Sequence, residues 1–341
     1  MRFTLNTLSL ISILFVITSC ANTKGPQPDW VNGAASDYPA EKYLLGKGQA
    51  VHQDVARDRA RADLAKVFEV AISEKSRDQI TYTSKSDGKN KIVKMDSETS
   101  RDINTKTEQI ISGILISEIW QEPKSGQFHI LATLDRFKAA NSLRDQINKI
   151  DHATKQAVQY SRASHEILKK IGFANQALQL QLERVAYQKH LKVISHTGIG
   201  LNSAYNIAVL ANDLNDLLQR IKINIQIESD PVGGLNDIVA GALSNSGFSH
   251  TTSYPSTYTL NSKLLLDTHH DDQGWYWQRG TLEISLLDPD TKKSYGSRHW
   301  SIKVSSQNEA LSKKRLRDKI NSILNNEIRQ TLIQFASANK K

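Results

Sequence analysis

The chain has 341 residues, 39% of them hydrophobic and 23% charged, which is length for two domains with buried cores and the composition of a folded, water-facing body. One cysteine, Cys20, excludes an internal disulfide. The fold is therefore left to packing alone, and a formal net charge of +9 favours anionic partners.

Arg2 gives a short basic start, Leu8 to Ile17 is an apolar run of about ten residues, and Ile17-Thr18-Ser19-Cys20 closes it with small residues. That is the layout of an export signal over residues 1–19. The run is about half of what a membrane-crossing helix needs. Ile17 to Cys20 also resembles a bacterial lipobox, in which the thiol is diacylated, the signal is cut before it and the new amine is acylated. The resemblance implies a mature chain beginning at lipid-bearing Cys20, with that covalent lipid as the only non-protein group expected. Each buried acyl methylene contributes roughly 0.8 kcal/mol, so two or more chains make a durable outer-membrane anchor. Ala21 after the cysteine, where Asp would mark retention, implies the outer membrane facing the periplasm. There the basic charge suits lipopolysaccharide, phospholipid headgroups or cell-wall polymer, and nucleic acid is not an expected partner.

Residues 20–29 are polar and carry Pro26 and Pro28, the composition of a tether. A first domain is expected over residues 30–136. Tyr43-Leu44-Leu45-Gly46-Lys47-Gly48-Gln49-Ala50 reads as a short strand rich in glycine. A helix is predicted from about Asp54 to Asp78, with Ala56, Ala60, Leu64, Val67, Phe68, Ala71 and Ile72 on one face, alanines that let it lie close to a sheet. With the lipobox, Pro28-Asp29-Trp30, the Tyr43 to Ala50 strand and Ala56, Ala60, Arg61, Asp63 and Leu64, this part resembles the LPP-twenty family of bacterial lipoproteins, which includes the flagellar assembly lipoprotein P group. The resemblance covers roughly residues 20–140 and implies an outer-membrane-anchored structural or assembly protein with no catalytic residues. Ser84 to Thr107 is polar and predicts an exposed loop. Ile110 to Trp120 is apolar, Phe128, Ile130, Ala132 and Leu134 alternate with polar residues, and Lys124-Ser125-Gly126-Gln127 between them supplies a turn, so a hairpin should complete a small sandwich-like sheet.

From residue 137 to 219 the pattern is helical: Leu143, Ile147, Ile150, Ala157, Leu168 and Ile171, interrupted by Thr154, Ser161 and Ser164, then Ala174, Leu178, Leu182, Val185 and Ala186. A hairpin stalk of two antiparallel helices is expected, followed by a third helix capped by Asn202 or Ser203. Ile221, Ile223, Ile225 and Ile227 alternate with polar residues and open a C-terminal domain over residues 220–337. Its predicted order is strand, a helix at about Leu235 to Asn245, strands at Thr257 to Asp267, Trp275 to Leu287 and Tyr295 to Val304, and a helix at about Asn308 to Phe335. The fold class is α+β, with an antiparallel or mixed sheet carrying helices on one face. Gly247-Phe248, Tyr258 and Leu260 resemble the small α/β modules of periplasmic lipoproteins and of the TolB N-terminal region, with Thr257 and Ser262 standing where an acid and a glycine are usual.

Few residues suggest chemistry. Gly46-Lys47-Gly48 lies between a strand and a helix, but Val51 occupies the third glycine position of a dinucleotide loop. His269-His270-Asp271-Asp272 is the densest set of metal-ligand residue types and reads as a solvated hairpin turn; a metal-assisted hydrolase built on it is the weakest of three functional readings. No Gly-x-Ser-x-Gly elbow is present, so neither catalytic nor metal residues are assigned and an enzyme is not expected. Trp275 and Trp277 place two indoles at strand spacing, and Lys313, Lys314, Arg315, Arg317 and Lys319 give the last helix a basic start. Trp275, Trp277, Lys313, Lys314 and Arg315 are the candidate partner-binding residues. The leading expectation is a lipid-anchored, non-catalytic assembly factor of envelope machinery, with a periplasmic protein partner or self-association and a flagellar association implied by the family. The alternative is a binding module that recruits cell-wall polymer or activates a wall enzyme.

Overall fold

The structure, a computed structural model, describes residues 26–66, 113–251 and 255–338. These fall into two compact units, one built from residues 26–66 and 113–136 and the other from residues 137–338. Cys20, the predicted loop over 84–107 and the second half of the predicted first helix lie outside the described residues.

In the first unit, β1 (Tyr43–Ala50), β2 (Leu115–Gln121) and β3 (Phe128–Asp135) form an antiparallel sheet in the order β1, β3, β2. Helix α1, helical from 53 through 66, lies on one face, and the reason is the glycine strand. A β-carbon on Gly48 would sit 2.1 Å from the Ala56 carbonyl oxygen, and one on Gly46 would sit 2.4 Å from that of Ala60. Only glycine in β1 and alanine in α1 allow the two backbones to approach this closely. Gly46 and Gly48 pair with Ala132 and Ile130, so these four residues share the face that α1 covers. Asp63 in α1 accepts a hydrogen bond from the Lys47 amide at 2.9 Å, and Arg59 donates to the Gln49 carbonyl at 2.7 Å. The glycines therefore serve helix packing.

The opposite face is closed by Trp30 in a 3-10 turn (Asp29–Asn32). Its ring is 2% exposed, packs with Ala35, Trp120 and Leu131, and its indole N–H donates to Glu118 at 2.5 Å. β3 is thus covered on both sides, and Ile130, Leu131, Ala132, Thr133 and Leu134 are all buried. The expected sandwich-like arrangement has a helix as one layer and a tryptophan-bearing turn as the other.

In the second unit, α2 (Arg136–Ala163) and α3 (Ile167–Ile194) form an antiparallel hairpin. Polar residues set its register. Asp151 accepts from Arg184 Nε at 2.8 Å and from Gln181 Nε2 at 3.0 Å, while Gln181 also donates to Thr154. Ser161 donates to the Lys170 carbonyl, and Tyr160 stacks on Phe173 at 5.3 Å. Thr154 and Ser161, which interrupt the apolar pattern, are interhelical hydrogen-bonding positions. Arg184 and Gln188 further donate to the carbonyls of the connecting segment, Asn202 and Leu201 respectively. Helix α4 (Ile207–Gln219) is capped by Asn206, which accepts from Ala208 N at 2.8 Å, and not by Asn202 or Ser203. Ser203 is occupied with Gln181 and Tyr205.

A five-stranded sheet follows in the order β5, β4, β6, β7, β8. β4 (Lys222–Ser229) runs parallel to β5 (Ser249–Thr251) and β6 (Tyr258–His270), with α5 (Leu235–Asn245) as the crossover. β6, β7 (Tyr276–Leu287) and β8 (Ser294–Ser306) are antiparallel neighbours. β5 has three residues, too few for a sequence period to reveal. Helix α6 (Glu309–Ala338) buries Leu316, Ile320, Leu324 and Ile328, a line at four-residue spacing, against the inner face of the sheet. That core also takes in Leu168, Ile171 and Leu178 of α3 and Leu210, Leu214 and Leu218 of α4. The helical segment predicted as a stalk over 137–219 therefore shares one core with the sheet, because its apolar faces are completed by β4, β6 and α6.

Candidate functional site

The outer face of the C-terminal sheet is set by strand alternation. Leu260, Leu264, Gln278, Leu282, Ile284, Trp300 and Ile302 are buried on the helix side, so Lys263, Asp267, His269, Trp277, Arg279, Glu283, Lys303 and Ser305 lie on the other. The β6–β7 hairpin closes through Asp271, whose amide donates to the Trp275 carbonyl at 3.0 Å. The Asp271 carboxylate accepts from the Gln273 amide at 3.1 Å, the Trp275 amide at 2.9 Å and the Trp277 indole N–H at 2.8 Å. These donors, the indole first, hold its carboxyl below the ordinary carboxylate range.

Trp277, fixed in this way, carries two cations. The Arg279 guanidinium lies 5.1 Å and the Lys303 ammonium 4.9 Å from its ring centre. Arg279 and Lys303 are also directly opposite each other across β7 and β8. Like charges in that register repel, and the shared indole offsets part of the cost. Among the described residues neither cation is in an ion pair, whereas Lys263 is paired with Glu228 at 2.5 Å and His299 lies 3.8 Å from Glu283.

The predicted site residues separate into different roles. Trp275 sits in the turn before β7, so the two indoles do not share a strand face as their spacing suggests; the hydrogen bonds to Asp271 end the strand ladder there. Lys313 pairs with Glu309 one helical turn away at 2.7 Å. Arg315 reaches across to β8 and donates to the Ser305 carbonyl at 2.6 Å, and Lys314 is exposed. His269 and His270 are consecutive on β6 and so project to opposite faces, His270 stacking on Tyr276 at 4.3 Å. Among the described residues no group of three or more His, Cys, Asp or Glu is placed to hold a metal ion. None of the described helices is long and apolar enough to cross a membrane. Arg279 and Lys303 fall outside the set that the sequence predicts. Arg279, two positions beyond Trp277, is readable from strand alternation, but Lys303 joins the cluster only through the register of β8.

Residues 28–135 match the family model described as LPP20 lipoprotein. No curated protein matches in sequence. Among solved structures, the chain is similar to a secreted protein from the human pathogen Helicobacter pylori, at 11% identity over 83% of this chain and 96% of that one, with a TM-score of 0.41. It is also similar to a putative lipoprotein from Caulobacter crescentus, at 14% identity over 35% of this chain and 93% of that one, TM-score 0.27. A minor lipoprotein from Acinetobacter baumannii shares 12% identity over 35% of this chain and 92% of that one, TM-score 0.24. The matched segment spans Trp30, the glycine strand and the alanine helix packed on it, so over residues 28–135 the chain is similar to the LPP20 lipoprotein family.

Proposed function

We propose that this protein is a non-catalytic lipoprotein held in the outer membrane by acyl chains on Cys20, facing the periplasm, where it serves as a structural or assembly component of envelope machinery. The observation that carries this reading is the LPP20 match starting at residue 28, eight positions beyond a lipobox cysteine. The flagellar association of some family members is the finer form of the proposal. The geometry of the C-terminal face favours a protein partner over a stacked sugar. Trp277 engages Arg279 and Lys303 through its ring and Asp271 through its N–H, so the indole is already committed.

Mass spectrometry of the mature N-terminal peptide should find acyl chains on Cys20, with the protein in the outer-membrane fraction; an unmodified thiol removes the anchor and the reading with it. In-cell cross-linking that recovers flagellar basal components would support the finer form. Recovery of none, with the protein monomeric, argues against an assembly role.

A further inference from the structure

β8 is the last strand of its sheet, and among the described residues nothing pairs with its second side. The Ser305 carbonyl accepts from Arg315, outside the sheet, which identifies the phase of the strand. In an antiparallel ladder alternate residues direct their backbone groups toward the partner strand and away from it. Residues in phase with Ser305, namely Ser297, His299, Ser301 and Lys303, therefore turn their backbone polar groups toward the free edge. Ser301 and Lys303 are exposed. α6 runs beside this edge: Glu327 accepts from the Trp300 indole at 2.8 Å and lies 3.8 Å from Arg298, while Arg315 reaches Ser305. Lys319, one turn beyond Arg315 on the same helix line, is also exposed. A strand edge beside a helix is the arrangement that takes an extended peptide as an added strand.

The charge around the edge selects the occupant. β8 carries Arg298, His299 and Lys303 and no acid. Arg298 and His299 each lie 3.8 Å from an acid, Glu327 and Glu283, whereas Arg279 and Lys303 share the Trp277 ring on the outer face and Arg315 reaches the edge from α6. Long exposed edges are ordinarily blunted against pairing, and lysine is a common means. A second copy added to this edge would bring one cationic strand against another, which like-charge repulsion disfavours. An acidic strand would be drawn to it.

We propose that the edge between β8 and α6 is the docking site for an acidic, extended segment of a protein partner, bound as a sixth strand. This gives chemistry to the partner in the preceding reading and depends on that reading only for the partner's compartment, so a failed anchor experiment and a failed docking experiment are distinguishable.

The test uses the full mature protein in detergent and two fluorescein-labelled peptides, five Glu-Val repeats and five Lys-Val repeats, followed by anisotropy. The acidic peptide should bind at least about tenfold more tightly than the basic one and weaken as salt rises. Ser301→Pro removes an edge-facing N–H that β7 does not use and should cost about tenfold in affinity with the circular dichroism spectrum unchanged. Arg315→Glu, at an exposed helix position, should cost a similar factor and keeps the test decisive if the proline variant does not fold. Equal binding of both peptides, no binding at millimolar peptide, or binding indifferent to both substitutions overturns the proposal. Self-association of the protein that Ser301→Pro dissolves would assign the edge to a second copy and overturn it. Retention of isolated cell-wall polymer that Lys303→Glu abolishes and Ser301→Pro leaves intact would assign the cations to polymer, with the same result.

Discussion

At Gly48 an added methyl group would lie 2.1 Å from the Ala56 carbonyl oxygen and 2.4 Å from the Ala60 amide nitrogen, both backbone atoms that cannot swing aside. Gly48→Ala must push α1 off the sheet and should lower stability by about 1–3 kcal/mol, read as a reduced urea midpoint. Gly241, on the exposed side of α5 with nothing within 4 Å of such a methyl, is the control. There the same substitution relieves helix-interior glycine and should raise stability by up to about 1 kcal/mol. At the tip of the β6–β7 hairpin, the Trp277 and Trp275 N–H groups hold the Asp271 carboxyl below the ordinary carboxylate range. A depressed carboxylate contributes stability that is present above its unfolded pKa and is lost as the pH falls through its folded one. Tryptophan fluorescence from the hairpin tip should therefore hold steady down to about pH 4 and change only below it. Asp271→Asn should show the altered signal already at neutral pH.

Among the elements, the α2–α3 hairpin is the one whose sequence most understates its order. Thr154 and Ser161 read as flaws in an apolar seam, but they and Asp151, Gln181 and Arg184 form the polar set that fixes which residues face each other. Arg184 has a side chain only 6% exposed, and Asp151 is its sole acidic partner among the described residues. Asp151→Ala strands that charge and should cost about 3 kcal/mol by chemical denaturation. Replacing the pair together, Asp151→Leu with Arg184→Met, should recover most of the loss, because an apolar pair avoids the desolvation cost of both charges. The strands are legible for the opposite reason. β4, β6, β7 and β8 each have one face buried and one exposed or lightly covered, so a two-residue period survives in the sequence, while β1 is legible from its glycines.

For the molecule as a whole, the division into units follows burial more than element type. The helical pattern over 137–219 groups α3 and α4 with the hairpin, yet Ile171 and Leu178 of α3 and Leu214 and Leu218 of α4 are buried in the core of the sheet. A fragment of residues 220–338 should therefore bind hydrophobic dyes and unfold without cooperativity, whereas residues 137–338 should show a single cooperative urea transition. A cooperative fold in the shorter fragment would show that α3 and α4 are dispensable to that core.

The sequence by itself determined the glycine strand with its alanine helix and nearly every strand and helix of the second half, and it alone carries the expectation of an export signal and of lipid on Cys20. Each of these is written in local spacing or in consecutive residues, and local patterns need no knowledge of what lies across the fold. Tertiary structure alone decided that Trp30 closes the second face of the first sheet, that Asn206 and not Ser203 caps α4, and that Lys303 meets Arg279 on Trp277 beside an open edge. Those outcomes depend on register and on contacts between residues far apart in the chain, and no local period carries that information.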